Sequence, residues 1–303
     1  MRHITITGSL GSGKSVVSSI LKERLGLEVE SIGSLLRRMA QDYGMSTNDF
    51  NKYMETHPEF DYELDDFVKN EGLKPNPKIF DSRLAWHFIP QSFKVYLYVK
   101  DEIAAERVYN DVGRINEKHE NIGTALANII QRRKSEVHRF KVQYDVDLEN
   151  LSNYNLVVDT SYSSPSTIAD IIIANYQNRI SSNEIWLSPY TLMPTKSSGN
   201  LSFENIQSIG NESKGLDRYL EDPIKVIVFN NKFYIYDGHK RVLNSIIERI
   251  SLLPCELINF RNDEILSSGQ AIQDYIQENC KQEDLCDWND LRAYIRDRTD
   301  ENE

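Results

Sequence analysis

An eight-residue stretch near the start constrains this chain most. Gly8-Ser9-Leu10-Gly11-Ser12-Gly13-Lys14-Ser15 fits the pattern GxxxxGK[ST]. It follows a β-branched run, HITIT (3–7), and precedes a helical pattern from Lys14 to about Leu25. In that setting the glycines let the backbone curl so that its N–H groups surround phosphate oxygens. The helix N-terminus adds a favourable partial charge. Gly8, Gly11, Ser12 and Gly13 would form the cradle, Lys14 would reach the β- and γ-phosphates, and the Ser15 hydroxyl would ligate Mg²⁺. At typical glycine usage the pattern arises by accident in on the order of 1% of chains this long. The strand and helix context lowers that further, so ATP and Mg are the expected cofactors.

Strand-like and helix-like segments alternate through the first half. Residues 33–43, 46–56 and 60–71 read as helices, and KIFD (78–81) and FKVYLYV (93–99) as strands. The helical stretch DEIAAERVYND, a long charged helix at about 122–143, the strand YNLVVD (154–159) and the helix PSTIADIIIANYQ (165–177) complete the series. Such alternation implies crossover units and a parallel sheet. The 303 residues suit two domains, and polar NRISSNE (178–184) reads as the linker. Residues 1–178 are then an α/β domain and residues 184–303 a smaller α+β unit. The latter holds EIWL, a helix around 202–212, the strand pair IKVIVF and KFYIYD joined by Asn230-Asn231, a helix near 239–249, LPCELINF and a helical tail.

The net charge of −11 is concentrated at the end, where residues 261–303 carry 5 basic and 12 acidic side chains. That balance argues against nucleic acid as a partner, because such binding depends on neutralising phosphates with Lys and Arg. A small phosphorylated ligand in a local basic pocket remains open. No apolar run approaches the roughly 20 residues that span a bilayer, and MRHITITGSL does not read as a secretory signal. Cys255, Cys280 and Cys286 form neither a CxxC pair nor an even framework, which fits a reducing, cytoplasmic setting.

Other nucleotide-binding classes fit poorly. Asn51-Lys52 and Asn231-Lys232 do not continue into NKxD, Ser267-Ser268-Gly269-Gln270 only partly echoes LSGGQ, and the glycines run GxxGxG rather than GxGxxG. In the long helix, Arg132, Glu136 and Arg139 fall at i, i+4 and i+7, hence on one face. Such a stripe is more often a solvated surface. Transfer between two nucleotides, however, gathers negative charge that arginine's planar fork neutralises well.

With ITITGSLGSGKS, SIGSLLRRMAQDYGMSTNDFNKY, FDSRLAW and RRKSEVHRFKVQYDVDL in this order, residues 2–175 resemble a cytidylate kinase, nearest the compact archaeal type. The resemblance implies a P-loop kinase with a parallel sheet and a helical lid. Arg37 and Arg83 would hold the acceptor phosphate, and Arg132, Glu136 and Arg139 would close over the transferring group, with Arg107 and Arg114 as weaker lid candidates. Two positions depart from the family pattern. Ser34 stands where an acid usually follows the glycine of SxG, and Asp81-Ser82 replaces the more usual Glu-Gly before the arginine. Asp159 reads as a turn residue rather than a metal ligand.

The second unit resembles the ParB/sulfiredoxin fold through LMPTK (192–196), PIKVIVFNNKFYIYDGHKRVLNSI (223–246) and LPCELI (253–258). Its motif, Asp237-Gly238-His239-Lys240-Arg241, implies a site for a nucleotide or phosphorylated ligand. Lys196 replaces the glutamate of the branch that phosphorylates free serine. The acidic tail, with Trp288, Leu291 and Ile295 on one helical face, packs on its own domain or contacts a partner in a homodimer.

The expected function is ATP- and Mg-dependent phosphoryl transfer to a small acceptor, first of all a pyrimidine nucleoside monophosphate (CMP or dCMP). The alternatives are a kinase acting on another hydroxyl, such as free serine or a modified pyrimidine in DNA, and a nucleotide-binding regulatory or partitioning module without transfer.

Overall fold

The computed structural model describes residues 2–111, 119–178, 183–195 and 217–280. Arg114, Lys196, Cys286, the expected helix around 202–212 and the acidic tail beyond Cys280 lie outside the described residues. The chain divides into two compact units, Met1–Asn183 and Glu184–Glu303.

In the first unit five parallel strands, β1 (Ile4–Gly8), β2 (Glu28–Ser31), β3 (Lys78–Asp81), β4 (Phe93–Tyr98) and β5 (Leu156–Asp159), lie in the order β2-β3-β1-β4-β5. All of β1 is buried, and so are Val95 and Leu97 of β4. Helix-covered parallel strands bury both faces, which explains their near-continuous apolar runs. Strand β2 is absent from the sequence-based expectation. Its four residues, EVES, are exposed or half-buried and carry no usable alternation; pairing with β3, Glu28 opposite Lys78, makes them a strand.

The connecting helices are α1 (Lys14–Leu25), α2 (Ile32–Asp42), α3 (Thr47–Met54), α4 (Glu59–Gly72), α5 (Ala85–Phe88), α6 (Asp101–Asn110), α7 (Ile122–Tyr144) and α8 (Pro165–Gln177). Ser31, Ser46, Asn121 and Ser164 cap α2, α3, α7 and α8 by accepting from backbone N–H groups. Helix α7 has 23 residues, about 34 Å at the usual rise. Its first half buries Ala125 and Ile129 against Ala104, Ala105 and Val108. Its second half buries Glu136 and Phe140, so the stripe chosen from the sequence is not a solvated face. Parallel order places Gly8, Asp81, Tyr98 and Asp159 at the ends of four strands on one edge of the sheet, where open α/β sheets bind ligands.

The second unit has strands β6 (Glu184–Leu187), β7 (Ile224–Phe229), β8 (Lys232–Asp237) and β9 (Leu253–Leu257), in the order β6-β9-β7-β8. β9 runs antiparallel to β6 and parallel to β7. Asn230 (φ 49°) and Asn231 (φ 58°) close the β7–β8 hairpin in two residues, the conformation that Asn tolerates best after Gly. The described helices are α9 (Asp217–Glu221), α10 (His239–Ile247) and α11 (Ile272–Asn279). Cys255 and Cys280 are free thiols. No described helix is long and apolar enough to cross a membrane.

Candidate active site

The loop after β1 needs its glycines for space as well as for conformation. A Cβ on Gly8 (φ +152°) would meet the Leu97 carbonyl oxygen at 2.3 Å, and one on Gly11 (φ +79°) would meet Ala104 Cα at 2.9 Å. The chain can therefore curl between β4 and α6 only with glycine at both places. Gly13 leads into α1, whose N-terminus has no side-chain cap. Ser12 Oγ is buried without a hydrogen-bond partner, and a buried orphan polar atom calls for an explanation. An uncapped N-terminus beside an orphan hydroxyl fits a polyphosphate.

Lys14 Nζ donates to the carbonyl oxygens of Gly8 (2.8 Å) and Ser9 (3.1 Å). Burial, and next the charge of Arg83, lower its pKa to about 7, against the opposing pull of Asp81 and Glu136. Ser15 Oγ donates to Asp81 Oδ2 at 3.1 Å. In the sequence Asp81 stands out only as a departure from a family pattern. Its place opposite Ile6 in the register makes it the nearest carboxylate to the loop's hydroxyl.

Glu136 stands between two arginines. Its Oε2 lies 2.8 Å from Arg83 Nε and its Oε1 accepts from Arg132 Nε at 3.0 Å. Burial pushes this carboxyl up, but Arg83, Arg132 and Arg139 together hold it down to about 2. Arg139 lies 3.4 Å from Asp61 of α4 and donates to the Asn51 carbonyl oxygen of α3 at 3.3 Å. The neighbouring Arg133 turns elsewhere and makes a bidentate pair with Asp101 at the start of α6, at 2.5 and 2.8 Å. Arg83, Arg132, Glu136 and Arg139 thus come together across β3, α7 and α4.

A cleft of about 1020 Å³ opens over the loop. Ser34, Arg37, Arg38 and Thr47 line it on one side; Arg107, Thr160 and Ser163 line it on the other. Arg37 Nη2 donates to Ser34 Oγ at 2.9 Å, so the serine at the departing position tethers this exposed arginine. Arg107 sits in α6, between β4 and α7, where it ties the loop to the end of β5. It donates to the carbonyl oxygens of Gly11 (3.2 Å), Thr160 (2.5 Å) and Ser161 (3.2 Å). Asp159 is fully buried and accepts from Ser161 N and Oγ at 2.8 and 2.6 Å, folding the turn.

In the second unit Gly238 (φ +106°) leads into α10 with no side-chain cap. Arg241 Nη1 donates to the carbonyl oxygens of Asp222 (2.5 Å) and Pro223 (3.1 Å), and Nη2 to Asp237 Oδ2 (3.0 Å). His239 is buried, and its Nε2 accepts from Thr195 N at 3.1 Å. Lys240 is exposed.

A family model described as an AAA domain matches residues 4–153. Cytidylate kinase of Thermoplasma volcanium is 35% identical over 188 residues, which are 61% of this chain and 95% of the relative. The S-adenosylmethionine-dependent nucleotide dehydratase of Lacinutrix mariniflava is 35% identical over 175 residues, 57% of this chain; the chain spans only 36% of that longer relative. Among solved structures, shikimate kinase from Acinetobacter baumannii superposes with a TM-score of 0.41 at 19% identity, covering 59% of this chain and 94% of that one.

Proposed function

Because the N-terminal unit belongs to the cytidylate kinase family, whose chemistry is nucleotide phosphoryl transfer, we propose that this protein moves the γ-phosphoryl group of ATP to a pyrimidine nucleoside monophosphate, CMP or dCMP. The observation that carries this reading is the pairing of a phosphate-binding loop with a separate cluster of arginines on Glu136. A module that only bound nucleotide would need the first and not the second.

The chain's own groups divide the work. Gly8, Gly11, Ser12 and Gly13 hold the donor phosphates through loop amides and the α1 N-terminus. Lys14 leaves the Gly8 and Ser9 carbonyls for phosphate oxygens. Ser15 and Asp81 offer two oxygens to Mg²⁺, too few to hold that ion alone, so it arrives with the phosphates. The ion neutralises charge on the β- and γ-phosphate oxygens when bound. Arg37, tethered by Ser34, holds the acceptor phosphate, and Arg83 and Arg132, fixed through their Nε atoms by Glu136, neutralise the transferring group. Closure of α7 over the cleft keeps water from taking the phosphoryl group.

Incubation with Mg·ATP and CMP, dCMP, UMP, AMP or free serine, followed by ³¹P NMR, tests the reading. A new diphosphate signal with CMP or dCMP is expected; ATP hydrolysis alone, or a phosphomonoester of serine, would refute it. For residues 184–303 we propose the ParB/sulfiredoxin-like module that Asp237–Arg241 suggest, with a nucleotide as ligand. Calorimetric titration of the full chain with ADP should lose one site in Lys240→Ala, and an unchanged count would refute that part.

A further inference from the structure

Arg83 meets the transferring group from a turn that belongs to neither β3 nor α5. A long side chain on an irregular turn inherits every shift of its backbone, and a misplacement of about 1 Å can cost about a hundredfold in rate. Side chains that the steps above leave unused tie this turn down. Ser82 N donates to the Ile6 carbonyl oxygen at 3.2 Å. Thr7 Oγ1 donates to the carbonyl oxygens of Ser82 (3.2 Å) and Arg83 (3.4 Å), and Trp86 Nε1 donates to that of Arg83 at 3.1 Å. A hydroxyl from β1 and an indole from α5 thus converge on the carbonyl of the arginine itself.

Both donors stand where an apolar side chain would pack as well. Thr7 is the penultimate residue of β1 and only 2% exposed. Valine has the same branched shape and needs no partner when buried, so the position uses the hydroxyl rather than the shape. Trp86 is also buried, and its ring is held from two directions. It makes an edge contact with Tyr154, 5.4 Å between centroids, and the Lys94 ammonium lies 5.7 Å from its centroid. Tyr154 in turn packs on Tyr96 of β4 at 4.9 Å. That packing fixes the plane of the indole and keeps its N–H on the Arg83 carbonyl. Thr7 adjoins Gly8, so one residue both precedes the phosphate loop and holds the turn that carries the arginine. Neither Thr7 nor Trp86 lines the cleft described above. We propose that Thr7 and Trp86 are positioning residues for the transfer. The hydroxyl and the indole N–H clamp the Arg83 backbone and so set its guanidinium against Glu136 and the phosphate loop. The proposal rests on the acceptor reading given above.

The test measures kcat and KM with Mg·ATP and CMP for the full-length protein, Thr7→Val, Thr7→Ser and Trp86→Phe, beside their urea midpoints. Thr7→Val and Trp86→Phe should each lower kcat about tenfold. KM for ATP should stay within about twofold, because the loop keeps its glycines and Lys14. Thr7→Ser restores the donor and should stay within about twofold of the unaltered kcat; a loss equal to that of valine would overturn the proposal. Urea midpoints that fall while kcat holds would overturn it too, since a merely structural tie behaves that way. A further arm repeats the two substitutions in Arg83→Ala, followed in single turnover with excess protein. There each should cost less than about twofold, because the group they aim is gone. An undiminished tenfold loss in that background would show that they act elsewhere and would also overturn the inference. Should Trp86→Phe not fold, the near-isosteric Thr7→Val and its serine counterpart carry the test. If the unaltered protein phosphorylates no nucleoside monophosphate, the acceptor reading itself fails, a result separate from all of these.

Discussion

Each unit has a glycine in the left-handed region leading into a helix with no side-chain cap, Gly13 before α1 and Gly238 before α10. Basic residues follow in both. The surroundings of the two turns differ in kind. Around Gly13 a serine hydroxyl is buried without a partner and a lysine folds back on loop carbonyls. Around Gly238 the arginine is tied to Asp222, Pro223 and Asp237, and the histidine accepts from a backbone amide. At the first turn the lysine and the hydroxyl face the loop where a ligand would sit, whereas at the second the arginine is held by its own unit and the exposed Lys240 is the basic side chain left to meet one.

That contrast can be broken most directly at Lys14. Lys14→Ala should lower phosphoryl transfer by at least about a hundredfold and leave the urea midpoint nearly unchanged; undiminished turnover in a coupled assay would remove the distinction. Arg241→Ala should act the other way. Losing contacts to two carbonyls and two carboxylates is expected to cost about 2 kcal/mol of unfolding free energy, read from chemical denaturation. If nucleotide affinity fell instead, with stability intact, Arg241 would be a ligand contact rather than a structural tie.

The glycines sharpen the comparison with smaller effects. Gly13→Ala meets no atom within 4 Å and should cost only the strain of its φ of +78°, about 1 kcal/mol. Gly238→Ala would press on Ile224 Cδ1 at 2.9 Å and on Arg241 Nη2 at 3.2 Å, and should cost measurably more in the same denaturation assay.

The smallest effect is a proton. With its pKa lowered to about 7, Lys14 is mostly neutral at pH 8 in the free protein. Phosphate oxygens favour the ammonium, so nucleotide binding at pH 8 should take up most of a proton, falling toward zero below pH 6 where the lysine is already charged. Calorimetry in buffers of different ionisation enthalpy measures this, and Lys14→Met should abolish it.

How much of this was legible beforehand depended on whether the cause was local. KIFD, the run around PSTIADIIIANYQ and the Asn-Asn hairpin carry their own periodicity or turn chemistry, and their elements fall within a residue or two of the expected places. Strand β2 could not be read, because a four-residue polar edge strand exists only through the β3 backbone beside it. From the sequence Arg107 is only a weak lid candidate, because its partners lie up to 96 residues away, at Gly11 on one side and Thr160 and Ser161 on the other. Asp61 gave no signal, since acidic residues on a helix usually face water and nothing in EFDYELDD marks which of them is covered.

The sequence by itself determined the phosphate loop, the alternation that makes the first sheet parallel, and the spacing that puts Arg132, Glu136 and Arg139 on one helix face. Those are properties of neighbours along the chain: glycine's missing Cβ, strand and helix periodicity, and the helical repeat. Only the tertiary structure decided which charges meet. It set Asp81 against Ser15, Glu136 between Arg83 and Arg132, and Asp61 beside Arg139, because a carboxylate's partner is chosen by the packing that excludes water from around it. The same packing separates the two turns: it leaves Ser12 Oγ unpartnered after β1 and gives Arg241 three partners after β8.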